Sequence, residues 1–125
     1  MLSKARVGKS GEAEAARYLK HEGYRILARN FRNKLGEIDI VAADKETICF
    51  VEVRTRSKID KHAEALASVD HFKQLRLSRM AVSFLKRHDW LGRSARFDVV
   101  SVFLTARGAD IVLLKDAFPV QGKYS

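Results

Sequence analysis

Polar and apolar residues alternate over 37–40 and 51–54 around two apolar runs, 40–43 and 48–51, and the β-branched content predicts two strands over 37–43 and 47–54. The only turn-like break between them is Asp44-Lys45-Glu46-Thr47. If Lys45 and Glu46 form a tight hairpin loop, Asp44 faces Thr47, Ala42 faces Cys49, Ile40 faces Val51 and Ile38 faces Val53. Those apolar residues then share one face, which must be buried. The other face carries Val41 opposite Phe50, Asp39 opposite Glu52 and Glu37 opposite Arg54. A longer loop would shift this register. Glu37 with Asp39, and Glu52 with Arg54, share a face in any register.

Helical spacing brackets this hairpin. Residues 3–22 read as a helix closed by Gly23, although Gly8 and Gly11 weaken its start. Its inward stripe is Gly8, Glu12, Ala15, Ala16 and Leu19. Tyr24–Asn30 reads as a short strand, and the polar stretch 55–61 as a mobile loop. Ser68 is the expected N-cap of a helix ending near His88, with Asp70 in its first turn and Val69, Lys73, Leu77, Met80 and Phe84 on one face. Arg96–Leu104 reads as a third core strand, 107–110 as a turn, Ile111–Lys115 as a last strand, and Pro119 as part of a tail. Neither repeats nor a linker divide the chain, so 1–125 reads as a single domain.

Composition narrows the classes. With 125 residues and 46% apolar content, the chain is long enough for one modest core. No apolar run approaches the roughly 20 residues of a membrane span. The N-terminus lacks a signal-peptide pattern, and a cytoplasmic location is expected. Cys49 is the only cysteine, which excludes an internal disulfide and argues against a thiolate zinc site. The net charge of +9, from 24 Lys and Arg against 15 Asp and Glu, fits a protein that binds a polyanion. It also fits a basic protein that is merely soluble.

The candidate chemistry lies in the hairpin. Asp39 and Glu52 repel when directly opposed, and a cation between them would relieve that cost. The alternative is a plain Glu37–Arg54 cross-strand pair with Asp39 and Glu52 solvated. Glu12 is either a third carboxylate facing the hairpin or an exposed partner of Lys9. Lys73 either reaches a phosphate or carboxylate, or covers apolar surface with its stem. Asp98 is expected to pair with a neighbouring arginine. The histidines have no metal-ligand spacing, though His71 is a candidate for proton transfer. Gly8-Lys9-Ser10 is not a phosphate-binding loop, because Ser3 stands where its first glycine belongs.

Taken together, Gly8-x-x-Gly11-Glu12, Asn30-Phe31-Arg32, Gly36-Glu37-Ile38-Asp39, Phe50-Val51-Glu52-Val53-Arg54-x-Arg56, Val69-x-x-x-Lys73 and Arg96-Phe97-Asp98-Val99-Val100 resemble the YraN-like family. That family is similar to the PD-(D/E)xK nucleases and, distantly, to archaeal Holliday-junction resolvases. The resemblance implies an α/β, restriction-endonuclease-like αβββαβ core with a central mixed sheet flanked by helices. It implies that Asp39 and Glu52 are the motif carboxylates, that Glu12 is the helix-borne acid, and that the three hold Mg²⁺ or Mn²⁺. Arg54 stands where the superfamily usually has lysine. Arginine stays protonated and cannot serve as a base, but it can stabilise charge on a phosphoryl group.

Three functions follow as expectations. One is a metal-dependent endonuclease on DNA, branched DNA included, with Arg54 catalytic and Arg32, Arg56, Lys58, Lys61 and Lys73 on phosphates. Another is a nucleic-acid-binding protein that keeps the nuclease fold without cleavage. The last is an adaptor whose basic surface meets an acidic partner. A homodimer is implied only through the resolvases, which act on two strands.

Overall fold

A computed structural model describes residues 4–56 and 62–120, with side chains from Ser10 onward. The elements run α1 (Lys4–His21), β1 (Arg25–Asn33), β2 (Gly36–Asp44), β3 (Thr47–Arg56), α2 (His62–Ala67), α3 (His71–Arg87), β4 (Ala95–Thr105) and β5 (Gly108–Phe118). The sheet order is β1-β2-β3-β4-β5. Only β3 and β4 run parallel; the other neighbours are antiparallel. A parallel pair needs a long crossover, and the segment carrying α2 and α3 supplies it. This is the mixed α/β architecture of a restriction-endonuclease-like core.

Each face of the sheet has its own core. On one side Ala15, Ala16 and Leu19 of α1 pack on Ile40, Ala42, Cys49, Val51, Val100 and Val102. On the other, Leu77, Met80 and Phe84 of α3 pack on Val41, Ala43, Ile48, Phe50 and Val99. Alternation along β2 and β3 therefore feeds both layers, as a sheet covered on both sides requires. The Phe84 ring anchors the second layer edge-on to Phe31 and Phe50, at 5.2 and 5.7 Å between centroids.

The hairpin register matches expectation near the turn: Asp44↔Thr47, Ala42↔Cys49, Val41↔Phe50 and Ile40↔Val51. The described ladder ends at Ile40↔Val51, so the expected facing of Ile38 with Val53 and of Glu37 with Arg54 is not found. Ile38 also lies in the α3-side core with Val41, not with Ile40. The inward-outward alternation of β2 thus skips a step at Asp39. Across the sheet from that point is Asn30, whose φ of 54° is a left-handed turn inside β1.

Local boundaries differ in three further places. The N-cap of α3 is Asp70, whose carboxylate accepts from the Lys73 N–H at 3.0 Å, so the helix starts at His71. A charged cap at the positive helix end is the stronger device. Ser68 instead closes α2, its hydroxyl donating to the Ala65 carbonyl. That short helix occupies ground read as featureless, and β5 extends over the expected turn to begin at Gly108. Residues 57–61 of the expected loop lie outside the described residues, and so do Lys58 and Lys61.

Candidate metal and phosphate site

Where the β2–β3 ladder stops, a side chain takes over the backbone's partner. The Asp39 carboxylate accepts from the Val53 N–H at 2.8 Å. This satisfies a donor that β2 no longer pairs and holds Asp39 at the strand junction. Three more carboxylates gather around it. Glu12 and Glu37 bring carboxylate oxygens within 4.8 Å of one another and of Asp39. Glu52 on β3 acts on Asp39 as a neighbouring charge, outside the tight group of three.

Glu12 reaches the site because α1 sits very close to β3. A Cβ built on Gly11 would lie 1.9 Å from Thr55 Oγ1. The glycine that weakens the helix by about 1 kcal/mol is thus what lets α1 approach. The buried Ala15, Ala16 and Leu19 below it set the helix rotation.

Burial and the crowding of like charges together set the electrostatics. Burial first, then the neighbouring Glu52, push the Asp39 carboxyl up to about 8. Burial and the neighbouring Asp39 push Glu12 upward as well, against a lowering pull from Arg29. All the donors are oxygens, the set that hard divalent cations prefer. A site whose carboxyls hold protons because they are buried together is suited to exchange them for such a cation.

Arg54 borders the carboxylates. Its Nη2 lies 3.5 Å from Glu52 Oε2, an ion pair without hydrogen-bond geometry. Its Nε and Nη2 are buried and have no hydrogen-bond partner among the described residues. A buried guanidinium with unused donors costs free energy until an acceptor arrives. A phosphate oxygen is such an acceptor.

The remaining candidate residues divide. Arg32 is bound to Glu37 at 2.8 Å, which replaces the expected Glu37–Arg54 pairing. Arg56 donates to the Ser68 hydroxyl at 3.3 Å, beside the start of α3. Lys73 is half-buried, and among the described residues no hydrogen bond or ion pair ties its ammonium to the carboxylates. His71 is exposed and lies against Phe72, away from any acid–base partner found here.

Asp98, beside Val51 on β4, belongs to a separate network that reaches toward the β2–β3 turn. It is fully buried and accepts from Arg96 Nε at 2.9 Å, the Tyr24 hydroxyl at 3.2 Å and the Asp116 N–H at 2.9 Å. Arg96 also holds Asp44 at 2.8 Å. The expected pairing of Asp98 with an arginine is thus met by Arg96. An unforeseen group joins His62 to Ser101 and Asp110. Ser101 is fully buried there, so this group braces α2 and presents no nucleophile.

Sequence reasoning alone missed Glu37 as a member of the acidic cluster, and Arg29 as its nearby cation. For Glu37 the signal was present, since it shares a strand face with Asp39. For Arg29 there was none, because only the pairing Arg29↔Ile40 brings it near.

The fold and the acidic cluster define a protein of the nuclease-like α/β class with a candidate divalent-metal site. Residues 11–102 match the profile of Uncharacterised protein family UPF0102. The chain is 50% identical over 119 residues to a UPF0102 protein of Moorella thermoacetica, covering 94% of this chain and 98% of that one. Against the UPF0102 protein of Syntrophus aciditrophicus it is 46% identical over 118 residues, covering 94% and 92%. Against that of Caldicellulosiruptor saccharolyticus it is 43% identical over 119 residues, covering 94% and 100%. The chain belongs to the UPF0102 family. No helix among its described residues is long and apolar enough to cross a membrane.

Proposed function

We propose that this protein is a metal-dependent endonuclease that hydrolyses phosphodiester bonds in DNA, with branched DNA as the first substrate class to test. The observation that carries the reading is the half-buried Asp39 among Glu12, Glu37 and Glu52, next to a guanidinium with unused buried donors. Glu12, Asp39 and Glu52 would hold Mg²⁺ or Mn²⁺, with Glu37 in reach. A bound divalent cation supplies Lewis-acid stabilisation at the phosphoryl oxygens and a more acidic water.

The chain's own groups do the rest. The Val53 N–H keeps Asp39 oriented. Arg54 turns its free donors to a non-bridging phosphate oxygen and stabilises the charge that builds there. It stays protonated, so proton removal falls to a carboxylate or solvent. Arg32, Arg56, Lys58, Lys61 and Lys73 neutralise neighbouring phosphates without reading bases. The protein works in the cytoplasm as a single-domain chain, and pairs as a homodimer on two-stranded substrates.

A second reading is a nucleic-acid-binding protein that keeps this fold without cutting. Its support is Arg54 itself, which replaces the superfamily's lysine and leans on Glu52. A cleavage screen of linear, flapped and four-way-junction DNA in Mn²⁺ and Mg²⁺ separates the two. The endonuclease reading expects cleavage that EDTA, Asp39→Ala and Glu52→Ala abolish, and that Arg54→Ala slows by about 10²–10³-fold. Binding without cleavage on every substrate supports the second reading. Cleavage surviving in both carboxylate variants refutes the mechanism.

A further inference from the structure

The helix α3 has a polar outer face with an unusual charge balance. Its sequence His71–Arg87 contains Lys73, Arg76, Arg79, Lys86 and Arg87 and not one acidic residue. Phe72, Arg76, Arg79, Ser83 and Lys86 follow each other at steps of four and three, so they form one stripe along the helix. Arg76, Arg79 and Lys86 are exposed, and among the described residues no salt bridge engages any of them. Elsewhere Arg17, Arg32, Arg54, Arg96 and Lys115 each have a carboxylate partner, whereas scattered cations such as Lys20, Lys45 and Arg107 have no salt bridge among the described residues.

Two apolar side chains stand out beside the stripe. Phe72 is 79% exposed at its start, and Leu35, from the turn before β2, is 42% exposed beside it. Leu35, Arg79, Ser83 and Lys86 line a shallow depression together. The stripe starts near the end of β2 that also carries the acidic site. The Arg76 Cδ is placed 3.1 Å from where a Cβ on Gly36 would stand. Gly36 meets α3 on one face of the sheet, and the next residue, Glu37, reaches Glu12 of α1 on the other. A duplex at the acidic site that crosses this end of β2 would meet the basic row.

We infer that the outer face of α3 is a track for the sugar-phosphate backbone of a DNA duplex that leaves the acidic site. Arg76 to Lys86 spans about 15 Å along the helix, at 1.5 Å per residue. Phosphates follow each other at 3.4 Å of axis per strand, so the row meets about four of them. Unpaired cations without acidic neighbours suit a uniform polyanion. An acidic protein partner would be expected to meet alternating charges and a larger apolar centre. An anionic membrane would meet an apolar band along the whole helix, but Phe72 and Leu35 are isolated. The inference rests on the DNA reading of the acidic site and adds where the duplex arm lies.

The test measures binding of a 30-base-pair duplex and of a four-way junction by fluorescence anisotropy, in EDTA so that cleavage plays no part. Salt is varied for the wild type, for the triple variant Arg76→Gln/Arg79→Gln/Lys86→Gln, and for a control of equal charge change, Lys20→Gln/Lys45→Gln/Arg107→Gln. Each lost phosphate contact removes about 0.9 from the slope of log K against log salt. The triple variant is therefore expected to lose about 2–3 from that slope, and the control well under 1. Circular dichroism and thermal melts confirm that both variants fold. An unchanged slope in a folded triple variant overturns the track, as does an equal loss in the control. So does retained DNA binding with lost binding to polyglutamate or phosphatidylserine vesicles. The acidic-site reading fails separately, through absent metal-dependent cleavage by a protein whose salt-sensitive binding still depends on α3.

Discussion

Asp39 shows what a functional residue costs its fold. It holds the Val53 N–H, but it also faces Glu12, Glu37 and Glu52 in a half-buried site. Without a cation those carboxylates repel, and burial adds to the cost. Asparagine keeps an oxygen for the Val53 N–H and removes the charge. Asp39→Asn is therefore expected to stabilise the metal-free protein by about 1–2 kcal/mol while abolishing cleavage. Urea unfolding in EDTA measures the first effect, and a lower midpoint than wild type would contradict the account. The neighbouring pairings also show how far residue-level reading goes. A carboxylate cluster was legible from the hairpin string. That Glu37 would take Arg32 rather than Arg54 was not, because the partner choice depends on where the β2–β3 ladder ends.

At the scale of elements, the contact between α1 and β3 decides the geometry of the site. Propensity makes Gly11 a flaw in a helix, yet the tertiary contact makes it necessary. Gly11→Ala would gain helix propensity and collide with Thr55. The expected net result is a loss of about 1–3 kcal/mol, with α1 pushed off and Glu12 moved from Asp39. Thr55→Ala in the same chain removes the colliding hydroxyl and methyl and should recover part of the loss. A thermal melt of both variants checks this, and equal stability of Gly11→Ala and wild type would show that the contact is not tight. The hairpin register near its turn, and both long helices, were legible because their periodicity runs over many residues. The helix α2 was not, since six residues carry too short a pattern to declare themselves.

For the whole molecule, two polar groups on the sheet have opposite roles. Around Asp39 four carboxylates crowd together with the arginines Arg32 and Arg54 at their border. Toward the β2–β3 turn, Arg96 binds Asp44, Asp98 and the Tyr24 hydroxyl in one latch. Arg96 holds the Asp44 carboxyl below its ordinary range, with Lys115 adding to the pull. A carboxylate whose native pKa is lowered stabilises the fold above its unfolded pKa, and loses that contribution as pH falls through the native value. Asp44→Asn should therefore be less stable than wild type at neutral pH, with the gap closing below about pH 4. Urea unfolding across that range reads the difference, and a gap that persists at pH 2.5 would assign it to something other than charge.

Length, charge, hydrophobic period and motif order are local properties, and from them the sequence determined the α/β class, the central hairpin, the two long helices, the family and the carboxylates to suspect. The tertiary structure alone decided that β2 breaks its alternation at Asp39, that Gly11 admits Glu12, that Asp98 is a buried brace and that α3 presents its unpaired cations on the face of the sheet opposite α1. Each of these joins residues far apart in the chain. Their energies depend on packing distance and on which partner arrives first, and no one-dimensional pattern records either.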